Sequence, residues 1–286
     1  MPKMSIKIIS DSTCDLSKDL IKEFDIEIVP LHINMNGSMY LDGVDISTDD
    51  IFRHVDNGGD LCTTVAANVS EWQEVFSRFS PQYDQIVTIT ISADFSGTFQ
   101  SAKIAAEEFS NVFVVDSRNL STGVGHSVLR AAELARAGKT AEEITADLED
   151  FVDRVDASFI LDRLDYMRKG GRCSAVAALG ANLLKLKPSI HVVGGKMQVG
   201  KKYRGAFEKC MVEYIKDKLA DADGIEDHRI FITYSSLSPE LEALAIRTVR
   251  ECKKFENVNI TRAGCTIACH CGQNCIGVLF VRKDKI

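Results

Sequence analysis

Short β-branched apolar runs alternate with amphipathic helical segments over the first half of this 286-residue chain. Residues 6–9, 85–89 and 112–116 predict strands, and apolar residues at helical spacing follow each of them. This alternation predicts a mostly parallel sheet with helices on both faces. Ligands of such sheets bind beyond the carboxyl ends of the strands, so polar residues at that edge are the first candidates for a site.

A hydroxyl-rich turn follows the predicted strand at residues 85–89 and leads into a predicted helix. Ser96, Gly97 and Thr98 lie in this turn. A Ser or Thr hydroxyl there can cap the helix, and the N–H groups of the first helical turn favour an anion. Gly97 would let a ligand approach the backbone closely. The turn is also typical of an ordinary helix cap, so both interpretations stay open.

Other polar residues follow predicted strands and are expected at the same edge of the sheet. Ser12 and Thr13 come directly after the first strand, and Thr64 shortly precedes a helix that Asn68 is expected to cap. Because the carboxyl ends of parallel strands meet at one edge, these side chains and Ser96 are candidates to surround one ligand.

The pattern changes near residue 157, where strands begin to outnumber helices. Strand-like runs occupy residues 158–161, 189–193, 196–199, 229–234, 258–260 and 276–281. The second and third are joined at Gly194-Gly195 and predict a hairpin, which makes the second sheet mixed. A helix is also expected from Ser174 to a point before Pro188. We therefore predict two α/β domains, residues 1–156 and 157–286.

Composition excludes several classes of protein. The chain is 45% hydrophobic and 26% charged, which is ordinary for a soluble globular protein, and its formal net charge of −7 argues against a general nucleic-acid-binding surface. No apolar run approaches the roughly 20 residues of a membrane span. The first residues predict a strand rather than a signal sequence, so we expect a cytoplasmic location.

Nine cysteines are many for such a chain, and we expect most of them to be small buried hydrophobes. Cys265, Cys269, Cys271 and Cys275 are clustered around His270. Such a cluster is compatible with a zinc or iron–sulfur site, or with a cysteine-dependent acyl hydrolase or transferase activated by His270. No Cys-x-x-Cys pair is present, and in an extended segment neighbouring side chains would point to opposite faces. Both alternatives are therefore disfavoured but stay open.

Several specific motifs occur in a fixed order along the chain. They are Asp11-Ser12-Thr13-Cys14-Asp15-Leu16, Asp42-Gly43, Phe95-Ser96-Gly97-Thr98-Phe99-Gln100-Ser101-Ala102, Asp116-Ser117, Leu164-Asp165-Tyr166-Met167-Arg168-Lys169-Gly170-Gly171-Arg172, Lys187-Pro188, Gly200-Lys201 and His270-Cys271-Gly272. In this order the chain resembles the DegV family of bacterial fatty-acid-binding proteins along nearly its whole length.

The resemblance implies two α/β domains, related in architecture to the dihydroxyacetone kinase substrate subunit, with one long-chain fatty acid buried between them. It implies that Thr64 and Ser96 hold the carboxylate, with His270 as a third polar contact. Ser12, Thr13, Gly97 and Thr98 are secondary candidates. It further implies a carrier without cofactor or metal, whose bound carboxylate a separate fatty acid kinase phosphorylates for phospholipid synthesis.

Two segments depart from the family pattern near the expected headgroup end. Thr64 is followed by Val65-Ala66-Ala67-Asn68 where the family has a Thr-Ser-Gln-Pro-Ser-like segment, and Cys271 and Cys275 stand where the family usually has Thr, Pro or small residues. The expected hydroxyls are nevertheless present.

Two hydroxyls and helix-end N–H groups can hold a carboxylate without a basic residue. The basic side chains of the second half are then free to form a surface, which is either a docking face for a partner or a plainly solvated face. These residues are Arg168, Lys169, Arg172, Lys201, Lys202 and Arg204.

Overall fold

The computed structural model describes residues 4–177 and 186–286. The strands are β1 (Ile6–Asp11), β2 (Ile26–Val29), β3 (His32–Met35), β4 (Ser38–Leu41), β5 (Thr63–Val65), β6 (Gln85–Thr90), β7 (Val112–Asp116), β8 (Val155–Leu161), β9 (Leu186–Val193), β10 (Lys196–Arg204), β11 (Ile225–Tyr234), β12 (Asn257–Arg262) and β13 (Cys275–Arg282). The helices are α1 (Lys18–Glu23), α2 (Thr48–Asp56), α3 (Val69–Phe79), α4 (Thr98–Ala106), α5 (Thr122–Arg136), α6 (Ala141–Phe151), α7 (Asp165–Gly170), α8 (Ser174–Ala177), α9 (Phe207–Lys218), α10 (Pro239–Cys252) and α11 (Cys265–Cys271).

The predicted parallel sheet is confirmed, with strand order β2-β1-β6-β7. Trp72 and Phe76 of α3 pack on one face of it, with the small residues of α4. Val124 and Val128 of α5 cover the other face, so the sheet is buried on both sides. Capping boxes begin α2, α3 and α6, as local sequence predicts for the last of these.

The second sheet is mixed, in the order β10-β9-β8-β13-β11-β12. Its strands pair antiparallel except β11 with β12, and the predicted hairpin of β9 and β10 is confirmed. Helices α9 and α10 cover one face. The other face shares an apolar core with α5, in which Phe159 and Leu279 join Val124 and Val128. One core therefore connects the two sheets, and the boundary near residue 156 stays a prediction.

A small antiparallel sheet, in the order β4-β3-β5, was not expected from the sequence. Asn36 and Gly37 have positive φ angles of 53° and 80°, the conformation of a tight hairpin turn. Strands of three or four residues are too short to show clear alternation, and so this Asn-Gly pair was the available signal.

The segment 265–271 is also different from the expectation, because it is a helix and not extended. The Asp42 carboxylate accepts hydrogen bonds from the N–H groups of Cys265 (2.8 Å) and Thr266 (3.1 Å). Asp15 accepts one from Gly264 (2.8 Å). Carboxylates distant in sequence therefore satisfy the free N–H groups that begin α11, a contribution that no local motif reveals.

Part of the helix expected between Ser174 and Pro188 lies outside the described residues, and α8 accounts for its beginning. Within residues 4–177 and 186–286, no helix has both the length and the apolar character needed to cross a bilayer.

Candidate functional site

A largely apolar cavity lies between the two sheets and α11. It encloses about 940 Å³ of space between atoms, including its open mouth. Its apolar wall comprises Leu31, Ile91, Phe95, Leu120, Phe159, Met167, Met197, Ile267 and Leu279. Such a wall favours an apolar ligand.

Helix α11 forms one side of the cavity with a single face. Ala263, just before the helix, and then Ile267, His270 and Cys271 line it at helical spacing. Cys269 lies on the opposite face, within the core that also contains Ile33. The helix therefore separates His270 from Cys269, although the two are adjacent in sequence.

Thr64 and His270 meet in the wall of this cavity. Thr64 Oγ1 and His270 Nε2 are 2.9 Å apart and hydrogen-bonded. Thr64 is directed inward because it pairs in register with the fully buried Ile33 of β3. Its neighbour Thr63 is exposed, as the alternation of a strand requires.

His270 is held as a neutral imidazole. Burial and, to a smaller extent, the positive charge of Arg172 together lower its pKa to about 4. His270 Nδ1 has no hydrogen-bond partner among the described residues, and it lies where a Cβ on Gly170 would be only 2.3 Å away. Gly170 therefore gives the ring the space to face Thr64.

Ser96 lies on another side of the cavity, in the turn between β6 and α4. Its Oγ is 2.9 Å from Thr98 Oγ1 and accepts a hydrogen bond from the Thr98 N–H (3.3 Å). Gly97 is the N-cap residue and provides no side-chain cap. A Cβ on Gly97 would meet nothing within 4 Å, so the backbone is open to a ligand there.

The secondary candidates divide into two groups. Gly97 lines the cavity with Ser96, whereas Ser12, Thr13 and Thr98 do not. Ser12 donates to Asp42 (3.0 Å), and Thr13 donates to Asp11 (2.5 Å). The hydroxyls after β1 therefore donate to buried carboxylates and do not line the cavity.

Asp11, Asp15 and Asp42 are all buried, and the sequence did not reveal that these three carboxylates would be buried. Burial raises the pKa of Asp11 to about 6, against the hydrogen bonds from Thr13 and Ile91. Burial also raises the pKa of Asp15 well above its usual range, although Ser121 donates to it at 2.5 Å. The Asp-x-x-x-Asp spacing of the first motif was the available signal.

Arg172 lines the cavity, a position that sequence analysis did not predict. It is exposed, and its guanidinium donates to the carbonyl of Gly170 (2.7 Å). A cationic group is therefore present close to His270. The hydroxyls and helix-end N–H groups do not require a basic residue to hold a carboxylate, and the structure places Arg172 at the edge of the cavity in addition to them.

The other basic candidates lie on two elements. Arg168 and Lys169 belong to α7, and Lys169 Nζ is 4.0 Å from Asp60. The remaining three, Lys201, Lys202 and Arg204, are exposed on β10. Lys201 is paired with Asp217 at 2.6 Å. Their role as a docking face stays a prediction.

The nine cysteines are all free thiols, and eight of them are buried. Cys269 interacts with Cys62, and Cys275 with Cys271, so the clustered thiols do not converge on one point. In the part of the chain that the structure describes, no three His, Cys, Asp or Glu side chains are arranged to hold a metal ion. The interaction of Cys269 with Cys62, together with burial, raises the pKa of Cys269. A raised pKa disfavours the Cys269 thiol as a nucleophile.

Comparison with known proteins gives a consistent result across the whole chain. The DegV family, described as uncharacterised proteins, matches residues 5–283. A DegV domain-containing protein of Caldanaerobacter subterraneus subsp. tengcongensis is 34% identical over 282 residues, or 97% of this chain and 99% of that protein.

Solved structures share the fold as well. A structure described as the fatty acid binding of a DegV family protein from Thermus thermophilus is 31% identical, with a TM-score of 0.91, and the match covers 98% of this chain and all of that one. A stearic acid-binding protein from Eubacterium ventriosum is 27% identical, with a TM-score of 0.84 and coverage of 97% and 98%.

Proposed function

This chain belongs to the DegV family, and from that premise we propose that it binds one long-chain fatty acid between domains of residues 1–156 and 157–286. The carboxylate would contact Thr64, Ser96 and His270, and the acyl chain would occupy the apolar cavity. The bound carboxylate would be presented to a separate fatty acid kinase. On this proposal the chain is a carrier, and catalysis belongs to its partner.

One observation carries the proposal: a hydrogen-bonded Thr64–His270 pair and Ser96 line the same largely apolar cavity. A fatty acid combines one anion with a long apolar tail, and each buried methylene contributes about 0.8 kcal/mol. The cavity offers apolar wall for the tail and a few polar groups for the head. The structures from Thermus thermophilus and Eubacterium ventriosum, described as fatty-acid-binding, support the same ligand class.

The polar groups fit a carboxylate in particular. The hydroxyls of Thr64 and Ser96 can each donate one hydrogen bond, and the first N–H groups of α4 are open beside Gly97. Arg172 adds a positive charge at the edge of the site. Because His270 is neutral, its Nε2–H can donate to Thr64 Oγ1, which leaves the Thr64 hydroxyl proton for the carboxylate and adds no second cation.

The proposed transfer requires that a carboxylate oxygen be accessible from the cavity mouth. In a kinase reaction this oxygen attacks the terminal phosphorus of a nucleoside triphosphate, the bond from that phosphorus to the bridging oxygen breaks, and an acyl phosphate and a nucleoside diphosphate form; the kinase holds the nucleotide. Arg172 at the mouth, with Arg168 and Lys169 on α7, provides positive charge where such a partner would dock.

Mass spectrometry of an organic extract of the purified protein tests this function. We expect a long-chain fatty acid in an amount close to one per chain, released on denaturation. A protein that neither carries nor takes up fatty acid, or that retains only ligands without a long apolar tail, would contradict the proposal. Adding a fatty acid kinase and nucleoside triphosphate then tests the partner: acyl phosphate should form only when both proteins are present.

A further inference from the structure

A second group of hydroxyl side chains lines the cavity, in addition to those proposed to hold the carboxylate. Its members are Ser121, Thr233, Ser235 and Thr266. All four residues are buried, with exposures of 5% or less. A hydroxyl that is buried without a hydrogen bond costs free energy, so the partners of each one indicate what the cavity can accommodate. Thr233 is already satisfied, because its Oγ1 is 2.6 Å from that of Thr122 and 2.8 Å from that of Thr261.

The hydroxyl of Thr266 has no hydrogen-bond partner among the described residues, although it is buried. Thr266 lies on the cavity side of α11, since Ala263, Ile267 and His270 line the same cavity at helical spacing. Its backbone N–H, by contrast, donates to Asp42 (3.1 Å). The Thr266 hydroxyl can therefore donate one hydrogen bond to a group inside the cavity and accept another from it.

Ser121 belongs to the same part of the cavity, because one carboxylate bonds both segments. Ser121 Oγ donates to Asp15 (2.5 Å), and the other oxygen of Asp15 accepts from the N–H of Gly264 (2.8 Å), two residues before Thr266. The backbone of Ser121 has φ 52° and ψ −143°, a combination that only glycine adopts readily. Strained residues of this kind cluster at functional sites. The lone pairs of Ser121 Oγ are available to accept a further hydrogen bond.

Ser235 reaches this part of the cavity from the end of β11. The N–H of Ala263 donates to the carbonyl of Tyr234 (2.8 Å), so the end of β11 adjoins the segment that leads into α11. Ser235 Oγ donates to the carbonyl of Gly272 (2.5 Å) and accepts from the N–H of Cys275 (3.3 Å). A hydroxyl oxygen has two lone pairs, and so Ser235 can also accept one further hydrogen bond.

The charges around these hydroxyls favour a neutral ligand group over a second carboxylate. Asp15 and Asp42 bond the N–H groups that begin α11. Among the described residues that line the cavity, Arg172 is the only lysine or arginine, and it lies beside His270 in the last turn of that helix. A neutral group that both donates to one of the serines and accepts from Thr266 is an alcohol.

We propose that the cavity prefers a fatty acid with a hydroxyl group on one of the first few carbons after the carboxylate over the unsubstituted acid of the same length. The ligand hydroxyl would accept from Thr266 and donate to Ser121 or Ser235. Its position follows from the helix, since Thr266 is one turn before His270, or about 6 Å along the axis. The inference rests on the proposed fatty acid binding, in which the carboxylate lies at His270. An unsubstituted chain would leave the Thr266 hydroxyl buried without a partner.

Displacement of a fluorescent fatty acid from the full-length protein tests the preference. The competitors are palmitic acid and its β-hydroxy, δ-hydroxy and ω-hydroxy derivatives. We expect the β-hydroxy or the δ-hydroxy acid to bind about fivefold more tightly than palmitic acid. The ω-hydroxy acid should bind no more tightly than palmitic acid, because its hydroxyl is at the other end of the chain. If palmitic acid binds and neither the β-hydroxy nor the δ-hydroxy acid binds more tightly, only this inference is wrong; if none of the four acids binds, the proposed function is wrong.

Thr266→Val tests the assigned hydroxyl, because it keeps the shape of the side chain. It should abolish the preference for the hydroxylated acid and leave the affinity for palmitic acid unchanged or higher. Thr266→Ser is the matched control, since it keeps the hydroxyl and should keep the preference. Thr266→Ala serves the same purpose if the valine variant does not fold. A preference that persists without the hydroxyl, or an equal loss of affinity for palmitic acid and the hydroxylated acid, would overturn the inference.

Discussion

The hydroxyl of Thr64 and the imidazole of His270 are joined by a 2.9 Å hydrogen bond across 206 positions of sequence. The contact brings an edge strand and a short helix together at the wall of one cavity. Each element is itself positioned by other contacts: β5 by its register with β3, and α11 by the Asp42 carboxylate. The candidate site is therefore a result of packing between distant segments, and it can be tested one contact at a time.

Thr64→Val should weaken fatty acid binding, because it keeps the shape of the side chain and removes its hydroxyl. A hydrogen bond to a charged group contributes about 1.5–3 kcal/mol, so its loss should increase the dissociation constant by roughly tenfold to hundredfold. Titration with a fluorescent fatty acid measures it. The matched control is Thr63→Val, since Thr63 is exposed on the opposite face of β5. Equal effects of the two substitutions would contradict the assignment.

Ser96→Ala tests whether the second hydroxyl holds the same carboxylate. We expect a loss of the same size, and the double variant Thr64→Val with Ser96→Ala should lose less than the two single losses combined. Groups that contact one ligand atom or share one network are coupled, whereas independent sites are additive. Strict additivity in the same titration would place Ser96 and Thr64 at separate positions on the ligand.

Asp42→Asn should destabilise the protein and weaken ligand binding together. The Asp42 carboxylate accepts from the first N–H groups of α11 and from Ser12, and an amide nitrogen there would face a donor. We expect a loss of about 1–3 kcal/mol in the free energy of unfolding, measured by urea denaturation. Asp45→Asn is the control, because Asp45 is exposed, and it should change stability by less than about 0.5 kcal/mol.

Asp11 should make stability depend on pH in an unusual direction. Its pKa is about 6 in the folded protein and 3.8 in the unfolded chain, so between these values the folded protein holds the proton more tightly. Stability from this group is therefore present at low pH and is lost as the pH rises from about 4 to 6, by an amount on the order of 3 kcal/mol. Buried His126 and His270, with lowered pKa values, act in the opposite direction.

The comparison of wild type with Asp11→Asn isolates this effect, because the histidines contribute equally to both. Urea denaturation at several pH values should show the wild type losing stability relative to the variant as the pH rises. A difference that is constant between pH 4 and 6, or that has the opposite sign, would show that Asp11 is ionised in the folded protein.

Arg172→Gln should raise the pKa of His270 and weaken fatty acid binding at low salt. The positive charge of Arg172 is one cause of the lowered pKa of His270, second to burial, so its removal should bring a partial return toward the ordinary value. NMR titration of the histidine resonances measures the pKa. Arg204→Gln is the control, since Arg204 is exposed on β10 and does not line the cavity. An unchanged His270 pKa would exclude an electrostatic role for Arg172.

The sequence by itself determined the α/β alternation, the hairpin of β9 and β10, and the caps that begin α3 and α6. In each case the decisive contacts are local: the Thr140 and Glu143 side chains, for example, bond to N–H groups within the same turn. The turn that contains Ser96 could also be predicted from the sequence, because a strand, a glycine and a helix are consecutive there. The family motifs also pointed to Thr64 and His270.

Only the tertiary structure decided how these pieces meet. Residues 265–271 form a helix because Asp15 and Asp42 satisfy its first N–H groups, and that helix places His270 and Cys269 on opposite faces. Arg172 lines the cavity because α7 packs against α11, where Gly170 leaves space for the imidazole. Contacts between distant segments form only when the whole chain folds, and the local periodicity of the sequence does not predict them.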